Sequence, residues 1–476
     1  MDKFWYNSED SQLGKWQRQI EEKTGSCSFC VLPWIHFATR PNGDIRLCCV
    51  ANSSGASTGD YTGGLIKKED GTPANASSTT PLEAWNGDFM KSVRTTMLKG
   101  EIPNSCRKCF EEERDGVASK RIWETGFWYR EGLDIHDLLS QTQQDGTVPD
   151  KIQYLDLRLG HTCNLKCIMC SPHDSSMWVN DHKKVYDQFE HKLIKDQMAW
   201  SRIGFNNQWH ESEAFWNDLY KQIPYLKQVY FAGGEPLIIK EHKRFLKEII
   251  KQGYAKNILV RYNSNGLLID DEILEIWNEF RKVKFGFSLD AVGERNHYIR
   301  YPSDWDTIVK NLHKLDNTPD HIHVSIATAV QILNIKHLPD MVKWKLSQNF
   351  KKINMQTVEG SNDTGDSVQL GGGMINLHLV WIPTYLNIRL LPEQDKQEVR
   401  RIFSEFKDWL WNNYRQDDDF WKHNPYGWKR WEAILDHMDS EDQSKILPAF
   451  KNYINTMDAH RKIDAKQIFP ELSHLI

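Results

Sequence analysis

The chain has 476 residues, 39% of them apolar and 26% charged, with a formal net charge of -5 at pH 7. That length and balance predict two or three packed domains and exclude a wholly disordered chain. They give no electrostatic reason for a nucleic-acid partner. No apolar run approaches the ~20 residues of a membrane span, and the first ten residues lack a secretory pattern, so a cytoplasmic protein is expected.

Residues 1–26 read as a polar, partly helical lead-in. Cys27-Ser-Phe-Cys30 opens a short β-like unit that runs to Cys48-Cys49, with Pro41-Asn42-Gly43-Asp44 as the turn of a hairpin. Such a hairpin brings Cys30 and Cys48 toward neighbouring strand ends. Residues 52–80 are rich in Gly, Ser, Thr and Ala and read as a loop. A helix is expected from Pro81 to Leu98, with Trp85, Phe89 and Val93 at helical spacing and Gly100 past its end. Cys106-Arg-Lys-Cys109 follows, then a charged helix from Glu111 to Arg121.

The nine cysteines stand at 27, 30, 48, 49, 106, 109, 163, 167 and 170, and none follows. In a reducing compartment such clustering points to metal ligands or catalytic groups rather than disulfides. By spacing alone, the six N-terminal cysteines suit a structural zinc site and an iron–sulfur cluster equally well.

From about 151 the pattern alternates between strands and helices. Strands are expected at 152–158, 227–231, 257–262, 283–289, 322–330 and 352–358, with amphipathic helices at 239–252, 270–281, 304–316 and 335–347. Six such units predict a parallel sheet curved into a partial (β/α)6 TIM-like barrel, with chemistry at the C-terminal strand ends. Cys163-Asn-Leu-Lys-Cys167-Ile-Met-Cys170 follows the first strand. Four thiolates would saturate a tetrahedral metal or a cubane, whereas three leave one iron of a cluster open to an external ligand.

The second strand ends in Gly233-Gly234-Glu235, where adjacent glycines admit a close backbone approach and the carboxylate suits an ammonium group. The third ends in Asn263-Ser-Asn-Gly266 and the fourth in Ser288-Leu-Asp290, with Arg300 beyond. Polar groups at these ends suit a ribose-bearing ligand, with capping and turns as the plainer reading of each alone. Residues 359–373 read as a Gly-rich surface loop. Past Pro392 the chain is helical, and Trp409, Trp411, Trp421, Trp428 and Trp431 read as packing residues. His36, His161 and His378 are candidate ligands or proton carriers, with structural roles the plainer reading.

The Cys163/Cys167/Cys170 run followed by Gly233-Gly234-Glu235 resembles the radical S-adenosylmethionine (SAM) enzyme superfamily over about residues 151–360. The resemblance implies that these three cysteines hold a [4Fe–4S] cluster whose open iron chelates SAM. It also implies that Gly233, Gly234 and Glu235 receive the methionine amino group, and that Ser288 and Arg300 contact ribose and carboxylate. Met169 stands where an aromatic residue often touches adenine, and its thioether suits the same packing.

The N-terminal region, with Cys30, Gly43, Cys48, Trp85, Phe89, Arg94, Cys106, Cys109 and Arg121, resembles the twitch/SPASM class of auxiliary iron–sulfur domains. A full SPASM domain would carry further cysteines after Cys109 for a second auxiliary cluster. The twitch likeness implies one auxiliary [4Fe–4S] cluster on Cys30, Cys48, Cys106 and Cys109, leaving Cys27 and Cys49 spare.

The expected organisation is therefore a small N-terminal α+β auxiliary-cluster domain over 1–150, a radical SAM core over 151–392 and a helical C-terminal region over 393–476. The implied activity is reductive cleavage of SAM to a 5′-deoxyadenosyl radical, then hydrogen abstraction from a peptide or small molecule, with a flavodoxin- or ferredoxin-like reductant. A non-catalytic iron–sulfur protein and a zinc-stabilised α/β barrel enzyme are the alternatives.

Overall fold

The computed structural model describes residues 12–51, 63–114, 119–199, 208–355, 357–358, 368–369, 374–414 and 425–476. Eight strands make one open sheet: β1 (His36–Thr39), β2 (Ile45–Arg46), β3 (Tyr154–Arg158), β4 (Gln228–Ala232), β5 (Leu259–Ser264), β6 (Lys282–Ser288), β7 (Ile322–Val330) and β10 (Asn376–Leu379). A separate two-stranded pairing joins β8 (Thr357–Val358) to β9 (Val368–Gln369). The order is β10-β7-β6-β5-β4-β3-β1-β2, with every neighbouring pair parallel except β1–β2.

The expected partial barrel is present as six parallel strands, β3 to β7 and β10. Alternation explains its two faces. Leu155, Leu157, Val229, Phe231, Val260, Val283 and Phe285 are buried in the core. Crossover helices such as Lys240–Lys251, Asp271–Asn278, Trp305–Asp316 and Leu338–Ser347 contribute Phe245, Ile273, Leu312 and Val342 to the same core. The opposite face of these strands carries charge.

The sixth barrel strand is not at 352–358. Asp316 accepts hydrogen bonds from the amides of Lys351 and Lys352 at 2.8 Å and of Ile353 at 2.9 Å. These bonds turn the chain into a 3-10 segment at Ile353–Met355, and Asn376–Leu379 pairs with β7 instead. The loop expected at 359–373 and Trp421 lie outside the described residues, apart from Val368–Gln369.

The helix expected over Pro81–Leu98 is two helices, Pro81–Trp85 and Asp88–Leu98. Asn86 breaks it: its side chain donates to Val148 O and accepts from Val148 N and Arg94, and Gly87 takes an extended conformation. The hairpin at Pro41–Asp44 is present, with Thr39 opposite Ile45. Its strand β1 pairs in parallel with β3, His36 opposite Tyr154. The sheet thus runs across position 150, and the cysteine-rich region continues the barrel edge.

C-terminal helices Glu393–Tyr414, Pro425–Asp439 and Leu447–Arg461 complete the chain as expected. Trp428 and Trp431 are buried and stacked, whereas Trp411 is 42% exposed. Among the described residues no helix is long and apolar enough to cross a membrane.

Candidate active site

The loop after β3 carries Cys163, Cys167 and Cys170, and local bonds shape it. Cys163 N donates to Ser176 Oγ (3.2 Å), Ser176 N to His161 O (2.7 Å), and Trp178 Nε1 to Cys167 O (2.9 Å). Its outer side pairs with the segment that carries Arg300: Lys166 N donates to Tyr301 O and Ile168 N to Ile299 O, both at 2.7 Å. The C-terminal helix braces the same loop, with Tyr453 OH donating to Ile168 O (2.7 Å) and Arg461 to Lys166 O (2.6 Å). Sequence reasoning missed this brace, because nothing local links residues 168 and 453.

Burial pushes the Cys163 thiol up to about 12, while a hydrogen bond from Cys170 holds Cys167 below its ordinary value and raises Cys170 in return. Leu165 N–H points at Cys163 Sγ (3.4 Å), and the Arg300 cation acts on both Cys167 and Cys170. Three converging thiols, an amide donor and a nearby guanidinium form a donor set that fits a thiolate-bound cluster, whose negative charge the last two offset. Met169 is half-buried against the core beside them.

The Gly233-Gly234 pair has a different immediate cause from the close ligand approach expected. A Cβ at Gly233 would lie 2.8 Å from Gly160 O, and one at Gly234 only 2.3 Å from Thr162 O. The glycines let the end of β4 lie against the backbone that leads into Cys163. Gly234 N donates to Gly160 O (3.1 Å) and Glu235 N to Thr162 O (2.8 Å).

Glu235 is 1% exposed, and its carboxylate accepts from Leu237 N (3.1 Å), Ser264 Oγ (2.8 Å) and Asn265 N (2.8 Å). Burial raises it to about 6 against those bonds. It ties the ends of β4 and β5 together, and Asn265 continues the link to Asn164 of the cysteine loop (2.8 Å). Ser288 ends β6, half-buried. Arg300 pairs with the fully buried Asp290 at 2.7 Å, and Asp290 also accepts from Ala329 N (2.7 Å). Burial pushes the Asp290 carboxyl up while Arg300 opposes the shift. The cysteine loop, Gly233–Glu235, Ser288 and Arg300 therefore share one end of the barrel.

Four of the six N-terminal cysteines gather as well. Cys30, Cys48, Cys106 and Cys109 line one apolar cavity with Leu32, Leu47, Val50 and Met97, and Lys120 and Arg121 lie at its wall. Burial raises all four thiols, Cys106 to about 12. Cys27 is exposed and Cys49 faces a second cavity. Among the described residues no three His, Cys, Asp or Glu side chains close on a single-ion site. The four thiols surround a space, and that donor set fits a cluster with its own sulfide core.

Two buried arginines hold the unit together. Arg94 donates to Pro33 O, Trp85 O, Gly146 O and Asn86 Oδ1, and Arg121 pairs with Glu113 and donates to Phe29 O. Both are positioning residues for the segments next to the cysteines, Phe29 and Pro33 beside Cys30 and Glu113 on the helix of Cys109.

The second cavity, about 570 Å³, occupies the charged face of the sheet. Tyr154, Asp156 and Arg158 of β3, Tyr230 of β4, Arg261 and Asn263 of β5, Lys284 of β6 and His323 of β7 line it. His378 of β10 joins them, and Cys49, Lys120, Trp123 and Glu124 also line it. Its rim reaches Gly286 on β6 and Ala327 on β7, the residue opposite Ser288. Of the strand residues in this lining, sequence reasoning singled out only His378, and Asn263 within a polar strand end. The available signal was polar side chains at alternate positions of otherwise apolar strands.

Of the three histidines singled out, His378 lines this cavity and burial lowers it to about 4. His36 is buried against Tyr154 at 4.5 Å and lowered to about 4, and His161 lies buried within the cysteine loop.

Residues 157–344 match the family model of the Radical SAM superfamily. A GTP 3′,8-cyclase of Clostridium botulinum is 24% identical over 265 residues, 54% of this chain and 71% of the cyclase. A tungsten-containing aldehyde ferredoxin oxidoreductase cofactor-modifying protein of Pyrococcus furiosus is 23% identical over 206 residues, 41% of this chain and 49% of that protein. The solved structure of native anSMEcpe with bound AdoMet aligns with a TM-score of 0.31 and 17% identity, covering 55% of this chain and 62% of that one.

Proposed function

Starting from the radical SAM domain that this chain carries over residues 157–344, we propose that the protein is an enzyme that cleaves SAM reductively and abstracts hydrogen from a molecule held in the barrel lumen. The observation that carries this reading is spatial. The three-cysteine loop, Gly233–Glu235, Ser288 and Arg300 share the barrel end above the 570 Å³ cavity.

Cys163, Cys167 and Cys170 would hold the [4Fe–4S] cluster, which with SAM bound supplies the 5′-deoxyadenosyl radical. The chain's own part is to bind and orient. Exposed Gly233 and half-buried Gly234 offer peptide groups beside the cysteines for the methionine end of SAM, while the Glu235 carboxylate ties this strand end to Ser264 and Asn265 of β5. Arg300, aimed by Asp290, suits the SAM carboxylate, Ser288 a ribose hydroxyl, and Met169 the adenine face.

Cys30, Cys48, Cys106 and Cys109 would hold an auxiliary [4Fe–4S] cluster. Their cavity shares Val50 and Lys120 with the lumen, so a cluster there would supply an electron acceptor beside the substrate, suiting a net oxidation. The lumen volume suits a small molecule or a single peptide side chain, and the similarity to a GTP 3′,8-cyclase favours the small molecule. A flavodoxin- or ferredoxin-like protein is the proposed one-electron donor.

The test is anaerobic reconstitution, then SAM and dithionite, with 5′-deoxyadenosine as readout. Product from the wild type and none from Cys163→Ala or Cys167→Ala supports the assignment. Turnover retained by Cys167→Ala, or no SAM binding by a fully iron-loaded protein, refutes it.

A further inference from the structure

The helix Leu447–Arg461 ends on a buried cation beside the cysteine loop. Arg461 is 9% exposed, and its guanidinium lies over the Trp178 ring at 5.2 Å and the Tyr301 ring at 4.8 Å. One terminal nitrogen, Nη2, donates to the carbonyl of Lys166, the residue before Cys167, at 2.6 Å. Nε and Nη1 are buried and have no hydrogen-bond partner among the described residues.

The acids of this region serve other groups. Asp181 pairs with Lys166 at 2.8 Å and His460 at 3.2 Å, and Asp458 accepts from Tyr298 OH at 2.7 Å and Ala465 N at 2.8 Å. Among the described residues no carboxylate forms an ion pair with Arg461. Arg300, on the segment that pairs with the same loop, makes the contrast, because it has its own carboxylate in Asp290 at 2.7 Å. After the Cys170 hydrogen bond, the charges of Arg300 and Arg461 both favour the Cys167 thiolate.

A buried cation without an acid is costly, and buried donors left idle call for a cause. The rings on its faces and the C-terminal end of its own helix soften that cost. Neither supplies an anion. A loaded Cys163/Cys167/Cys170 site would: three thiolates outweigh the positive charge of an oxidised [4Fe–4S] core, and one-electron reduction adds to the excess. In a poorly polarisable interior a fixed cation favours the more negative state more strongly.

We propose that Arg461 is the charge partner of the radical SAM cluster site, placed there by the C-terminal helix to ease the one-electron reduction of that cluster. The inference rests on the reading that Cys163, Cys167 and Cys170 hold the cluster. Arg461 acts through the loop and through its field, as a positioning residue rather than a catalytic one.

The experiment is an EPR-monitored redox titration of the anaerobically reconstituted protein, following the reduced-cluster signal that changes shape when SAM is added. That change separates the Cys163/Cys167/Cys170 cluster from an auxiliary one. Arg461→Met removes the charge, Arg461→Gln removes it but keeps a donor for Lys166 O, and Arg461→Lys keeps the charge. The Met and Gln variants should shift the equilibrium about tenfold toward the oxidised cluster, a midpoint about 59 mV lower for one electron. Arg461→Lys should recover most of the shift. Lys451→Gln, which removes an exposed charge from the same helix, should titrate as the wild type does.

Denaturant unfolding separates tuning from bracing: Arg461→Gln should lower stability more in the iron-loaded protein than in the iron-free protein. A wild-type midpoint in an iron-loaded Met or Gln variant, or an equal stability loss with and without iron, overturns the proposal. If neither neutral variant holds iron, Arg461→Lys decides: a retained cluster supports the charge role, and a lost one overturns it. An iron-loaded wild type whose signal ignores SAM removes the radical SAM reading and this inference with it. A responsive signal with an unmoved midpoint removes only the role of Arg461.

Discussion

Replacing Gly234 with alanine tests whether the Gly-Gly pair serves backbone packing or ligand access alone. The added Cβ would stand 2.3 Å from Thr162 O and 2.6 Å from His161 C, both backbone atoms that cannot rotate away. Restoring ordinary contact requires the cysteine loop and the end of β4 to part by about 1 Å, in an interior that tolerates little movement. That separation breaks Gly234 N→Gly160 O and Glu235 N→Thr162 O, worth about 1 kcal/mol each. Overpacking adds about 1–3 kcal/mol. The sum, about 3–5 kcal/mol, shifts local opening of the cysteine loop by more than about a hundredfold.

The assay is the rate of iron release from the reconstituted protein to a chelator, alongside SAM affinity. Gly234→Ala should lose iron from the Cys163/Cys167/Cys170 site much faster than the wild type and bind SAM weakly. If it holds its iron as the wild type does and loses only SAM affinity, the packing argument is wrong. Ligand approach would then be the glycine's main role.

Other consequences can be measured separately. Cys106→Ala and Cys163→Ala should each lower the reconstituted iron content by about four atoms per chain, and only Cys163→Ala should also abolish 5′-deoxyadenosine formation; a zinc-loaded N-terminal site would contradict this. Arg461→Ala removes the donor to Lys166 O and should speed iron release at the SAM-binding cluster, with little change in far-UV circular dichroism. Arg94→Lys leaves carbonyls of Pro33, Trp85 and Gly146 without the fork that joins them, and should cost about 3 kcal/mol, read as a lower unfolding midpoint.

His242, fully buried and bonded to Tyr262 OH at 2.7 Å, is lowered by burial to about 3. Its folded-state value lies below the unfolded one, so the unfolded chain binds the extra proton and stability falls as pH drops below 6.5. Between pH 6.5 and 5 this amounts to about 2 kcal/mol, and His242→Gln should flatten that slope in denaturant titrations.

The Cys163/Cys167/Cys170 motif and the strand–helix alternation were legible in the sequence because both are local. Three ligands within eight residues converge by loop closure alone, and β7 was bounded correctly at 322–330 by its own alternation. The sixth strand was misplaced because the turn at 351–353 depends on Asp316, a partner about 35 positions earlier that no periodicity reveals.

Sequence by itself singled out the three-cysteine loop, the candidate residues at the strand ends and the helical C-terminus. Tertiary structure decided which cysteines assemble, grouping Cys48 rather than Cys49 with Cys30, Cys106 and Cys109. It also turned Asp156, Arg261, Lys284 and His323 into one wall, and brought Tyr453 and Arg461 onto the cluster loop. The reason is physical. A strand's alternation separates its two faces, but only the register between strands, set by the whole packed sheet, determines which side chains meet across the lumen.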